Sequence, residues 1–486
     1  MVKLGKSHTP GGRDAGALYR AANERGGNAV NSTITRGPSV AAPTEYSPGT
    51  VAVIGGGAAG SLTAAAIARD PAWRTVLISP EERPGRGVAY GTAEPWHLLN
   101  SRAVAMSADP DDPGHLLRWC HERGLPADAA TFLPRTWYGE YLADHFRSAA
   151  GSRLTHHRAT ATGVRRTAPA SPGGGYVVTD DTGAEIRVDH VVLALGNPPP
   201  CVPSAVSATA RRDVAFVADP WAPGALGAVP ADEPVLLLGT GLTAVDVALT
   251  LTRDGRTVPI DALSRRGLPP LAHPARPAPA VTLDLPSSPI LAPLVRRVRE
   301  AIADGADWTA VIDHVRTQSD RLWAALEPDA QERFLRHLQR YWEVHRHRMA
   351  PPIAARIAGL RSQGLLNLRR GHLTSIEPDP RGGLLVHLHG EPPKRYGAVI
   401  TCTGPGPLPC SAGPLLAGLI RDGLVRTGPH GLGIETDPDG RAGPGLWLAG
   451  PLRRGLLWES TAVPEIRGQA ARLAAALPAR ASVAAG

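Results

Sequence analysis

Lysine is nearly absent from this chain. Lys3, Lys6 and Lys394 are the lysines, so the formal charge of +8 and the pI near 9.7 rest on arginine. The densest arginine blocks are pairs, Arg265-Arg266, Arg369-Arg370 and Arg453-Arg454, too short for a basic tail. No nucleic-acid-binding motif accompanies them, and a nucleic-acid partner is not expected. Cysteine is scarce as well. Cys120, Cys201, Cys402 and Cys410 show no C-x-x-C, metal or iron–sulfur spacing, which excludes a closely spaced redox pair and leaves no metal site to name. A reducing, cytoplasmic setting is the default for such a chain. Long apolar runs are missing too: none approaches the ~20 residues of a membrane span, so no membrane partner is expected. Residues 1–49 have neither an h-region nor apolar periodicity and read as a disordered tail.

What the chain does have is 43% apolar residues, cut into short runs by glycine and proline over 486 positions. That length implies more than one domain. "TVAVIGGGAAGSLTAAAIARD" reads as a buried strand, a glycine turn and a helix, with "RTVLIS" as the next strand. Gly55-Gly56-Gly57-Ala58-Ala59-Gly60 fits G-x-G-x-x-G at the required place. Gly55 permits the tight turn, Gly57 lets backbone amides approach a pyrophosphate, and Gly60 packs helix on strand, with the helix N-terminus facing the phosphates.

The pattern then recurs. "EPVLLLGTGLTAVDVALTLTRDGRTVPIDALSRRG" repeats strand, turn, helix and strand, with Gly239-Thr240-Gly241-Leu242-Thr243-Ala244 as the looser G-x-G-x-x-A. "DHVVLALGNPPP", holding Gly196, corresponds to "GAVITCTGPGPLP", holding Gly404, each closing a β-meander. At the second strand tip no carboxylate stands. Ser264, Arg265 and Arg266 would instead hold a 2′-phosphate, which favours NADPH over NADH.

The expected fold is α/β: two Rossmann-like dinucleotide-binding domains with β-meanders, plus a helical insertion. The boundaries are placed at 50–205 and 365–480 for the discontinuous first domain, 206–285 for the second, and 286–364 for the insertion.

Beyond these turns, the chain resembles the bacterial FAD/NAD(P)-binding family of the two-dinucleotide-binding-domain flavoproteins. The likeness runs through "VIGGGAAG", "GRGVAYGT", "HLLNSRAVAMSADPDDPGHLLRW", "FLPRTWYGEYL", "LLGTGLTAVDVALTL", "ALSRRGLPPLAH", "WEVHRHRMAPPIA" and "GPLRRGLLWESTAVPEIRGQA". The resemblance implies FAD on the first unit and NAD(P)H on the second. It implies that Gly85-Arg86-Gly87 lines the FAD pyrophosphate, and that "HLLNSRAVAM" brings Asn100 and Met106 under the flavin ring. Gly450-Pro451 would touch the ribityl chain, with proline where relatives often carry aspartate, and Trp458 would pack beside the ring or else in an interdomain core. The helix opening at Thr461, Ala462 and Val463 would aim its amides at the pyrimidine edge. Alignment on Gly85-Arg86-Gly87 puts the family's ribose carboxylate at Ser79, so either the Ser79 hydroxyl or a returning Glu81 must meet the ribose.

Two nucleotides imply hydride transfer from NADPH to FAD, and the reduced flavin then needs an acceptor. Without a cysteine pair or an iron–sulfur site, molecular oxygen or an organic substrate remains. Flavin N-oxygenases resemble this chain, which puts oxygenation of a small-molecule amine first, in a natural-product setting. An FAD-dependent dehydrogenase or oxidase, a flavin reductase, and a non-catalytic flavin-binding protein stay open. The linker pattern F-x-G-x-x-x-H of sulfide- and ketone-oxygenating relatives is missing: Asp219-Pro220-Trp221 stands there. His345 to Arg348 form the densest polar run, read as a substrate anchor or a solvated helix face. The sequence names no catalytic base, and assembly with further copies of the chain is left open.

Overall fold

The computed structural model describes residues 48–167 and 175–478. The tail reading for residues 1–49 therefore lies almost wholly outside the described residues.

The first unit opens with β1 (Gly49–Ile54), α1 (Ala58–Ala68) and β2 (Trp73–Ile78). α2 (Arg135–Ala149) packs on α1, and β3 (His190–Leu193) follows the first meander. β1 lies between β2 and β3, parallel to both, so its side chains meet packing on each face of the sheet. Such a strand must be apolar throughout, and "VAVI" is buried at every position. α1 is apolar but for Ser61 and Thr63, whose hydroxyls donate back to helix carbonyls, because it is covered on nearly every face. Its alanines keep it thin enough to lie between the sheet and a second helix.

The second unit repeats the plan with β4 (Val235–Leu238), α3 (Leu242–Leu251), β5 (Ile260–Ser264) and β6 (Ala398–Thr401). Its sheet runs Leu366–Arg370, β5, β4, β6 and Phe216–Val217, with every pairing parallel. The first sheet runs β2, β1, β3 in the same sense, flanked by Leu154–His157 beyond β2. The duplicated "DHVVLAL" and "GAVITC" segments thus occupy equivalent places, each beside its unit's first strand. Each unit also carries its own three-stranded meander, at Ala161–Val188 and Leu373–Tyr396.

One boundary moves. The pattern places the return to the first unit at residue 365, yet Leu366–Arg370 pairs with β5, and β6 pairs with β4. Both strands complete the second sheet, because a parallel strand after a glycine-turn helix needs a neighbour on each side to satisfy its backbone. The chain re-enters the first sheet at Arg441–Gly443 and β7 (Leu446–Leu448), which pairs with β3. The last element among the described residues is α4 (Val463–Ala476), laid against α1.

The insertion is helical, as its pattern implies. "WTAVIDHVRTQSDRLWAAL" and "PDAQERFLRHLQRYWEVHRHRM" are each broken into two helices, at Gln318 and Leu338. No helix among the described residues is long and apolar enough to cross a membrane.

Candidate functional site

At each unit's first turn, sequence and backbone agree. Gly55 has φ +113°, and a Cβ there would lie 2.4 Å from the Ala194 carbonyl oxygen. A Cβ on Gly60 would lie 1.8 Å from the Gly55 carbonyl, so only glycine lets α1 sit this close to its strand. Gly57 begins the helix in an extended conformation, no side chain caps it, and no acid stands in its first turn. The second turn matches. Gly239 has φ +128°, a Cβ would sit 2.2 Å from the Cys402 carbonyl, and Gly241 opens α3 without a side-chain cap. Two helix N-termini thus present unsatisfied amides over bare glycine floors, the arrangement that receives a phosphate.

Around the first turn, the loop expected to line the pyrophosphate is held in place. Gly85 N–H donates to the Gly56 carbonyl at 2.7 Å, and the Cα of Gly87 lies 3.6 Å from where a Gly57 Cβ would stand. The Arg86 side chain turns away to an ion pair with Glu140, a buried carboxylate of α2 that also holds Arg83. What this loop offers a phosphate is side-chain-free glycine. At the strand tip, Ser79 is buried, and its Oγ accepts the Glu81 amide at 3.2 Å. The Glu81 carboxylate folds back toward the turn and accepts from Gly87 N–H at 3.2 Å. Burial raises its pKa, opposed by that amide and by Arg86.

From the other end, Gly450 has φ +81°, and a Cβ there would lie 2.8 Å from the Ala59 Cβ, so the closing segment meets the first turn of α1. Pro451 is buried in a short 3-10 turn. Gln469 of α4 accepts from Gly450 N–H at 2.9 Å, while its Nε2 is buried without a protein partner. The Ser460 hydroxyl, ahead of α4, is likewise buried and unpaired. α4 starts at Val463 with Ala462 at its N-cap, and Thr461 is exposed just before it. An unused buried donor on Gln469 beside a bare glycine turn fits a bound polar dinucleotide. Gly196 and Gly404, with φ +76° each, close the strands after β3 and β6 with open space where a side chain would stand.

Two residues expected at the ring have protein neighbours of their own. Met106 is buried in the first unit's core, its carbonyl accepting from the Tyr138 hydroxyl at 2.9 Å. Trp458 packs against Trp323 at 4.8 Å and Phe334 at 5.1 Å, with Arg454 over its ring at 4.8 Å. Its surroundings are supplied by the insertion and by its own loop. Asn100 faces the junction of the units, where its carbonyl meets His273 Nε2 at 2.9 Å. Burial pushes the His273 pKa down to about 4.

The polar run His345–Arg348 is neither a solvated face nor an open anchor. Arg346 is buried and bidentate on buried Glu459, with a closest approach of 2.9 Å, and Arg348 pairs with Asp313. Glu459 N–H donates to Asp320 at 2.9 Å, and Arg316 pairs with Glu465 in the first turn of α4. The insertion is therefore bolted to the segment that closes the first unit.

At the second strand tip, Ser264 Oγ accepts from Gly267 N–H at 3.0 Å and lies 3.0 Å from Thr240 Oγ1. Arg266 donates to the Tyr341 hydroxyl at 3.0 Å, and Arg265 is exposed. Leu242 and Thr243 form the half-buried first turn of α3. Asp246, one turn further on, pairs with Arg135 of α2 at 2.6 Å and tethers the two units. His97 reinforces that tether, its Nε2 lying 3.2 Å from the Asp246 carbonyl. Sequence reading missed Glu140, Gln469 and the Arg135–Asp246 pair, since each meets a partner distant in the chain. "TWYGEYL" and "TAVDVAL" each held a hint, an acid within an apolar helix.

The FAD-NAD(P)-binding family model matches residues 52–198, which span the first glycine turn and β3. An uncharacterized protein of Mycobacterium tuberculosis is 23% identical over 88% of this chain and 95% of its own length. The ornithine N-hydroxylase of Kutzneria sp. 744, solved with reduced FAD, NADP+ and L-ornithine, superposes with a TM-score of 0.59 at 14% identity, over 88% of this chain and 98% of that one. L-lysine 6-monooxygenase from Pseudomonas syringae gives 0.57 at 17% identity, over the same shares. The fold is that of the two-dinucleotide-binding flavoproteins.

Proposed function

We propose that this chain is an FAD-dependent, NADPH-oxidising monooxygenase that oxygenates the amine nitrogen of a small molecule. The observation that carries the reading is the pair of uncapped glycine turns, one per unit, in a fold shared across 88% of the chain with amine N-hydroxylases. The net reaction is amine, O2, NADPH and a proton giving hydroxylamine, NADP+ and water. Bound FAD supplies the two-electron relay between NADPH and oxygen.

The chain's own residues bind, orient and shield. The α1 amides would receive the FAD pyrophosphate beside the side-chain-free Gly85 and Gly87, and Glu81 would accept from the adenosine ribose while Ser79 braces the Glu81 amide. Gln469 Nε2 and Ser460 Oγ offer hydrogen bonds from the closing segment. Arg265 receives the 2′-phosphate at the second strand tip, while Ser264 and Arg266 shape that tip. The insertion covers the junction of the units through its ion pairs to the closing segment, which keeps water from the transfer of oxygen.

The test is anaerobic addition of NADPH to the yellow protein, then admission of air with a panel of primary amines. Bleaching, followed by hydroxylamine matching NADPH consumed for one amine class, supports the reading. Absence of bleaching overturns the hydride step. Bleaching with all NADPH appearing as hydrogen peroxide, whatever the amine, would make the chain an oxidase. Arg265→Ala is expected to lose about tenfold or more in NADPH affinity with NADH unchanged, from one charge-assisted phosphate contact.

A further inference from the structure

We propose that Arg340, carried by the insertion, binds the pyrophosphate of the nicotinamide coenzyme at the second glycine turn. This rests on the reading of that turn as the NADPH site. Arg340 lies on the insertion helix Gln339–Arg346, one hundred positions beyond Thr240 in the chain. Its Nη2 donates to Thr240 Oγ1 at 3.0 Å and to the Leu268 carbonyl at 2.5 Å, which fixes the guanidinium against the turn. Its Nη1 then lies 3.8 Å from where a Cβ on Gly241 would stand. Gly241 is the N-cap of α3, the residue that lets a phosphate approach the helix amides.

The electrostatics of this placement are unfavourable as they stand. A helix N-terminus carries partial positive charge and favours anions, yet a full positive charge has been brought against it. α3 has no acid in its first turn and no side-chain cap to offset that charge. The carboxylate nearest to Nη1 is Glu343, at 3.7 Å, and it is shared with Arg454 at 3.5 Å and with the Gln339 amide at 2.8 Å. Burial also works against the charged form of Arg340. A fold that breaks a local electrostatic rule at one point usually does so where a ligand completes it. A pyrophosphate between the α3 amides and Nη1 satisfies both positive groups together.

The position separates this role from that of Arg265. The pyrophosphate belongs to NADPH and NADH alike, whereas the 2′-phosphate belongs to NADPH alone. Arg340 therefore sets affinity for the coenzyme class, and Arg265 sets the choice within it.

The test is calorimetric titration of NADP+ and of NAD+ into FAD-loaded protein carrying Arg340→Gln, Arg340→Lys or Arg265→Ala. Arg340→Gln is expected to weaken both coenzymes by the same factor, about tenfold or more, with FAD content unchanged. Arg340→Lys returns part of that loss by restoring charge at the turn. Arg265→Ala weakens NADP+ alone. Parent-like binding by Arg340→Gln overturns the inference, as does a loss confined to NADP+. If Arg340→Gln also lowers the unfolding temperature, recovery of both by Arg340→Lys supports the inference, and stability restored without binding overturns it. Failure of the parent protein to bind either coenzyme sinks the NADPH reading itself, a result distinct from these.

Discussion

Under the proposed function, Glu81 would separate cofactor binding from stability. Its folded pKa is raised, chiefly by burial. Any stability it contributes is thus present below the ordinary carboxylate range and lost as pH rises through its folded value, so at neutral pH its ionised form weighs against the apoprotein. Glu81→Gln is expected to leave the apoprotein as stable or slightly more so at pH 7, while weakening FAD retention on gel filtration; unchanged retention would remove Glu81 from the ribose site. Gly60→Ala has a steric outcome instead. With its Cβ only 1.8 Å from the Gly55 carbonyl, α1 must shift, and the protein is expected to purify without yellow colour. The glycine motifs were legible because a sterically forced backbone leaves its mark in local sequence. The aromatic partners of Trp458 were not, since what surrounds a large apolar side chain depends on segments remote in the chain.

Among elements, the insertion is the one whose existence was plain and whose attachment was hidden. Proline, aspartate and glycine marked its helices, but neighbours two apart along "HRHR" gave no sign that both arginines are buried beneath acids of other segments. Breaking one partner of the Arg346–Glu459 pair strands a buried charge, which costs about 3–5 kcal/mol. Arg346→Met is expected to lower the unfolding temperature markedly. The double variant with Glu459→Leu should recover most of the loss, since a matched apolar pair avoids the desolvation of two charges. A double variant no more stable than Arg346→Met would mean that packing rather than charge governs this joint. The late return of the chain to the first sheet was half legible: the repeat of "DHVVLAL" in "GAVITC" points β6 to the second sheet, whereas Leu366–Arg370 looks alike whichever sheet it joins.

For the molecule as a whole, buried and half-buried histidines set the response to acid. Burial depresses the pKa of His145 and His273 to about 4, and lowers those of His97, His190 and His347 as well. In each case the unfolded chain binds the proton first, so stability is whole above the ordinary histidine pKa of about 6.5 and falls as pH drops toward 4. Thermal unfolding followed from pH 7 to pH 4 should show a steady decline that begins near pH 6, at about 1.4 kcal/mol per unit of pKa shift for each histidine. A flat profile across that window would contradict their neutral state. His97 ties this response to the joint between the units, since its ring touches the helix that holds Asp246 against Arg135.

The order in which the two sheets are threaded also carries a meaning for synthesis. The second sheet is drawn from one uninterrupted span, from Phe216 to Thr401, whereas the first needs β7 and is covered by α4, the last helix described. A chain emerging from the ribosome can finish the second unit while the first still lacks its edge and Gly450. Under the proposed function, the second unit would be a scaffold already folded when the first closes, and FAD would be captured last. A chain stopped just before Leu446 should hold a folded second unit and no flavin, although "GGGAAG" has been present since the start of translation.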